Sequence, residues 1–109
     1  MKTVNEIIGF GFFQGMEYDD DCDDVFEDYK HYKNRLPKSM IAAHIRSLPM
    51  SVFSFAVTDI FTGEYDGNGA LYNDGPFIFP VQFLRYFETY DIGIPPEYEE
   101  YLIRVVGLQ

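Results

Sequence analysis

The chain holds a single cysteine, Cys22, which cannot close an internal disulfide, so the fold does not rest on crosslinks and suits a reducing cytoplasm. No stretch approaches the roughly 20 apolar residues that a membrane-crossing helix needs. Asn5 and Glu6 break the apolar positions near the start, and no small-residue cleavage site follows, so no secretion signal is expected. Bases are scarce: 8 Lys and Arg stand against 18 Asp and Glu, for a formal net charge of −10. Such a charge repels phosphate, which disfavours nucleic acid and anionic membranes as ligands. The expected macromolecular partner is a basic protein.

What is abundant is aromatic. Eleven Phe and nine Tyr in 109 residues supply a core, so the chain reads as one globular domain over residues 1–109 and not as a disordered acidic tail. The acidity is local. Glu17, Asp19, Asp20, Asp21, Asp23, Asp24, Glu27 and Asp28 carry eight of the negative charges within 12 residues, with no base among them. Burying one unpaired would cost several kcal/mol, so the run is expected mostly in solvent, where its field attracts cations and speeds their association.

Thr3 and Glu6 have capping-box spacing, and Val4, Ile7, Ile8 and Phe12 recur at helical intervals, which predicts a first helix closing near Gly15. A second helix is expected over about residues 23–34, with Val25, Phe26, Tyr29 and Tyr32 inward and its acids before its bases. Pro37 opens a third, running through Met40, Ile41, His44 and Ile45 to about Leu48. Residues 51–57 alternate as a half-buried strand does, with Phe and Val on one face. Strands are also expected near 60–65, 70–73 and 76–79, with turns at Asp66-Gly67-Asn68-Gly69 and Asn73-Asp74-Gly75. Pro80 opens a fourth helix with Val81, Phe83, Leu84 and Phe87 inward. Pro95-Pro96 opens a fifth, striped by Tyr98, Tyr101, Leu102 and Val105. The fold class is therefore α+β: about five helices around a small antiparallel sheet.

Motifs for chemistry are absent. A calcium loop starting at Asp19 would place Asp24 where glycine makes the turn and Lys30 where a bidentate Glu belongs, so no metal site is expected. Carboxylates surround Cys22, the reverse of what activates a thiol. His31 and His44 fall on different predicted helices, and His44 borders an apolar stripe as a boundary residue. With no phosphate loop, serine elbow or zinc spacing, neither catalysis nor a cofactor is expected.

The partner-binding candidates are Glu17, Tyr18, Asp19, Asp20, Asp21, Asp23, Asp24, Glu27 and Asp28, joined by Tyr65 and Tyr72 in predicted turns. A helix start uses two or three acids; eight exceed that need. Tyrosine beside exposed acid suits an interface for a cationic protein. The alternative is a nucleic-acid mimic inhibiting a DNA-binding enzyme of the antirestriction type. That function needs charge strewn along an extended surface, whereas here it is concentrated in one segment.

Two segments, Ile45-Arg46-Ser47-Leu48-Pro49-Met50-Ser51 and Phe79 through Tyr101 with its Tyr90-Asp91-Ile92-Gly93-Ile94-Pro95, resemble the immunity proteins of bacterial contact-dependent growth inhibition and related toxin systems. The resemblance implies a cytoplasmic protein with no catalytic residue. It also implies a cognate basic toxin domain, commonly a nuclease acting on tRNA.

Overall fold

The computed structural model describes residues 2–4, 6–18 and 22–109, with no side-chain description for 2–4. The N-terminal segment is a hairpin and not the expected helix: β1 (Lys2–Val4) pairs antiparallel with β2 (Ile7–Gly9) in the register Lys2↔Gly9, Thr3↔Ile8, Val4↔Ile7. Its β-branched residues favour extended backbone, and Glu6 takes a positive φ of 66° at the turn. The Thr3–Glu6 spacing was a coincidence of composition.

The second expected helix shrinks to a 3₁₀ turn, Phe26–His31, which buries Phe26 and Tyr29. The third is α1 (Lys38–Arg46), entered through Pro37 and burying Ile41, Ala42 and Ile45. Three strands follow: β3 (Met50–Thr58), β4 (Tyr65–Asp74) and β5 (Phe77–Pro80). Then come α2 (Val81–Thr89) and α3 (Pro96–Tyr101), the latter widening into a π turn over Leu102–Val106. The expected stripe of that last helix fails at Val105, which is 69% exposed.

The sheet has five strands in the order β1-β2-β5-β4-β3. It is mixed, because β2 runs parallel to β5, with Ile8 opposite Phe77. The other pairings are antiparallel, so the expectation of a purely antiparallel sheet is corrected. Residues 60–65 do not form a strand: Asp59–Glu64 is a turn, closed by the Gly63 N–H donating to the Asp59 carbonyl at 2.8 Å. Asp66–Gly69, expected as a turn, lies inside β4. Gln82 from α2 donates to the carbonyls of Asp66 and Asn68, and Arg85 grips the Asp66 carboxylate, so helix side chains hold straight what local chemistry would bend.

The core is a continuous aromatic cluster under α2. Phe10 stacks on Phe79 with ring centroids 4.6 Å apart and meets Phe83 edge-on at 5.4 Å. Phe13 meets Tyr29 and Tyr86 edge-on in turn. Edge-to-face pairs add about 0.5–1.5 kcal/mol beyond the area they bury. Gly11, with φ 76°, packs so tightly on Phe83 that a Cβ there would sit 2.7 Å from the ring. No buried side-chain nitrogen or oxygen among the described residues lacks a partner.

β3 departs from expectation most. Of its nine residues only Val57 is buried; Val52, Phe53 and Phe55 are exposed. The helices lie over β4 and β5, which leaves the outermost strand uncovered. Its pairing slips between Val52↔Ala70 and Ala56↔Asn68, so Phe53, Ser54 and Phe55 together oppose Gly69. Gly69 makes room for the Phe55 ring, which would have to shift if a Cβ stood 2.2 Å from its Cζ.

Candidate functional site

Two segments meet beside the C-terminal end of β3, and the acidic run belongs to one of them. Leaving β2, the chain pairs Phe13 with Asp24 through backbone: the Asp24 N–H donates to the Phe12 carbonyl and the Gln14 N–H to the Asp24 carbonyl. The Asp24 carboxylate turns inward and accepts the Gly11 N–H at 2.8 Å and the Tyr29 hydroxyl at 2.9 Å. Burial, followed by the Asp24 charge, pushes the Tyr29 phenol far above its usual range, so it stays a proton donor. Glu17 reaches across to Thr58, accepting both its N–H at 2.8 Å and its hydroxyl at 2.9 Å. The acidic run is thus fastened to the fold at its start, Glu17, and again at Asp24.

The second segment is the Asp59–Glu64 turn. The Asp59 carboxylate accepts the N–H groups of Phe61 and Thr62. Arg85 binds Asp59 at 2.5 Å and Asp66 at 2.7 Å. Burial alone would raise the Asp59 carboxyl, but those two N–H groups and Arg85 outweigh it and hold it below its usual value. The side-chain bonds from Asp66 raise the Arg85 guanidinium against the cost of its own burial, so the clamp stays charged. Ile60 donates its N–H to the Tyr86 hydroxyl at 2.8 Å. This fixes Phe61, whose ring stands edge-on to Phe26 at 4.9 Å and to Tyr90 at 5.2 Å while 52% exposed.

The result is one surface. Asp23, Val25, Glu27 and Asp28 are exposed on the first segment and Phe61 and Glu64 on the second, and the Phe26–Phe61 ring contact joins the two. Its local cation is Lys30, which pairs with Glu27 at 2.9 Å and lies over the Phe26 ring. Most bases elsewhere are already engaged. Arg35 pairs with Glu99 and Glu100, Arg46 with Glu88, and Arg104 with Glu100. The Lys38 ammonium is spent on the carbonyls of Phe87 and Tyr90 at the end of α2.

The sequence-derived candidates separate sharply. Asp23, Glu27, Asp28 and Tyr65 are exposed, and Tyr65 is 69% so. Asp19, Asp20 and Asp21 lie outside the described residues. Glu17, though exposed, and the partly buried Asp24 accept hydrogen bonds from the fold's own backbone. Tyr18 is spent too: its hydroxyl accepts the Ala70 N–H and lies 2.6 Å from the Gln82 side-chain oxygen. Tyr72 is buried at 8% exposure, because β4 places it over the core against Phe79. Tyr72 is therefore covered, whereas Tyr18 is only partly buried. Sequence reasoning missed Phe61, whose signal was an aromatic residue inside an Asp–Thr–Gly turn, where burial is not available.

Two other places bear on chemistry. The His44 Nε2 lies 2.9 Å from Asp74 Oδ2, which also accepts the Tyr98 hydroxyl at 2.7 Å. Among the described residues no hydroxyl or thiol bonds to the His44 ring, and its contact with Asp74 ties α1 to β4. A cavity of about 210 Å³ beside Lys33, Lys38, Phe87 and Ile92 falls below the roughly 300 Å³ at which ligand pockets begin. Among the described residues no three His, Cys, Asp or Glu side chains converge as metal ligands. No helix is long and apolar enough to cross a membrane among them. No family model, no curated protein and no solved structure matches the chain.

Proposed function

We propose that this is an immunity protein: it binds a cognate basic toxin domain, a nuclease acting on RNA such as tRNA, and covers its active site in the cytoplasm of the bacterium that makes it. The observation that carries the reading is an exposed aromatic anchor, Phe61, on a surface where Asp23, Asp28 and Glu64 pair with no Lys or Arg among the described residues and Glu27 pairs only with Lys30. Interfaces draw their energy from a few buried aromatic anchors, and a charged rim supplies rate and selectivity. Asp23, Glu27 and Asp28 meet the lysines and arginines with which a nuclease grips phosphates, and Phe61 enters a pocket between them. The protein needs no catalytic group of its own for this. Its task is occlusion.

The test uses the toxin domain encoded beside this gene. Replacing Asp23, Glu27 and Asp28 together by Asn is expected to slow association at low salt by about tenfold or more, and to flatten its decline with added salt. Phe61→Ala is expected to act instead on dissociation, costing about 2 kcal/mol or more. An association rate indifferent to the three substitutions, with cells still fully protected, would sink the reading.

A further inference from the structure

Two consecutive residues of α2 hold the turn that carries Phe61. Arg85 grips both oxygens of Asp66, through Nε at 3.0 Å and Nη2 at 2.7 Å, and the same Nη2 reaches Asp59 Oδ2 at 2.5 Å. Asp66 is a fixed base for this reach, because Gln82 binds its carbonyl within β4. The guanidinium also lies over the Tyr86 ring, with its Cζ 4.4 Å from the centroid, which restricts it further. Tyr86 takes the Ile60 N–H on its hydroxyl and meets the Phe61 ring edge-on, with centroids 6.0 Å apart. The chain is therefore held on both sides of the Phe61 peptide. Tyr86 holds Ile60, and the Asp59 carboxylate that Arg85 pins accepts the Phe61 N–H at 2.7 Å.

We propose that Arg85 and Tyr86 are positioning residues for recognition: they hold Phe61 in the orientation in which a partner's pocket receives it. The inference rests on the toxin reading above and deepens it. Partly exposed ion pairs add little to stability, whereas an aromatic side chain ordered beforehand removes an ordering cost from the encounter. Because Arg85 occupies Asp59 and Asp66, the turn presents a ring with Glu64 as its exposed acid. The pocket that takes Phe61 is accordingly apolar, with the toxin's bases at its margin. Charge and position predict opposite outcomes for Arg85→Gln. Removing the guanidinium bares two carboxylates, and charge alone would then speed association with a basic toxin. If Arg85 positions the turn, the two carboxylates it bridged repel each other and the turn loosens. Only a fraction of molecules then offers the ring correctly, and association slows by that fraction.

Stopped-flow binding to the toxin domain encoded beside this gene, at matched concentrations of folded protein, tests the proposal. Arg85→Gln and Tyr86→Phe, the second of which changes no charge and keeps the ring, are each expected to slow association by about threefold or more. Each is also expected to speed amide exchange at Ile60 and Phe61 in the free protein. Neither is expected to add to the loss of affinity from Phe61→Ala, since without the ring there is nothing to position. Faster association of Arg85→Gln overturns the proposal. So do losses that add fully to that of Phe61→Ala, or exchange at Ile60 and Phe61 that ignores both variants. A toxin that loses affinity for Phe61→Ala but binds Arg85→Gln and Tyr86→Phe at the native rate strikes the positioning role alone. One that ignores Phe61→Ala removes the anchor of the toxin reading, and this inference with it.

Discussion

The aromatic core and the acidic surface use the same residue types to opposite ends. In the core, Asp74 and Glu99 each hold two defined hydrogen bonds, and at its margin the partly buried Asp24 does the same. On the surface, Asp23 and Asp28 are exposed and Glu27 pairs with Lys30, on the segment whose Phe26 ring meets the half-exposed Phe61. Asp23 and Asp24 are neighbours in the chain, yet one is scaffold and the other is display. Composition and local charge density do not distinguish them; the direction of one side chain does.

The comparison can be broken, and the largest effect is expected in the core. Phe83→Ala removes a fully buried ring that packs on Phe10, Phe79 and Gly11, and should cost about 3–5 kcal/mol in a urea titration. A loss below 1 kcal/mol would mean that the cluster is not the structural centre. Next comes Asp24→Ala, which takes the acceptor from the Tyr29 hydroxyl and leaves the Gly11 N–H with that hydroxyl alone, and should cost about 1–3 kcal/mol. Equal stability of Asp24→Ala and Asp23→Ala would erase the distinction between the two neighbours.

Acid should loosen the Asp59–Glu64 turn before the core. The folded Asp59 carboxyl lies below its ordinary value of 3.8, so its contribution is fully present above that pH and is lost as pH falls through the lower folded value. Below about pH 4, faster exchange of the Ile60 and Phe61 amides is therefore expected, and Arg85→Gln should move that onset to higher pH. An onset that ignores Arg85 would remove the clamp from the account. The smallest effect belongs to the display side: Asp23→Asn and Asp28→Asn should each change stability by no more than about 0.5 kcal/mol in the same titration. Larger losses would make these residues scaffold as well.

The two longer helices were legible because proline marks their starts and their apolar spacing is strong: Pro37 leads into α1 and Pro80 into α2. The β4–β5 turn was legible from Asn73-Asp74-Gly75. Other elements were not, and for identifiable reasons. The N-terminal hairpin carries a helix-like spacing that its partner β5 overrides with ladder bonds from Ile8 and Phe10. Asp66–Gly69 is kept extended by α2 side chains distant in sequence, which no local rule registers. Of the candidate surface, the exposed carboxylates followed from charge alone. Phe61 became visible only when the turn was placed on the rings of Phe26 and Tyr90.

A single oxygen, Asp74 Oδ2, receives both the imidazole of His44 and the phenol of Tyr98, and so α1 and α3 are latched to the same atom at the tip of β4. Lifting either helix takes one of the two partners away from that carboxylate oxygen. The two are therefore expected to open together, as one cooperative block with matched exchange rates, even though 49 residues separate the end of one from the start of the other.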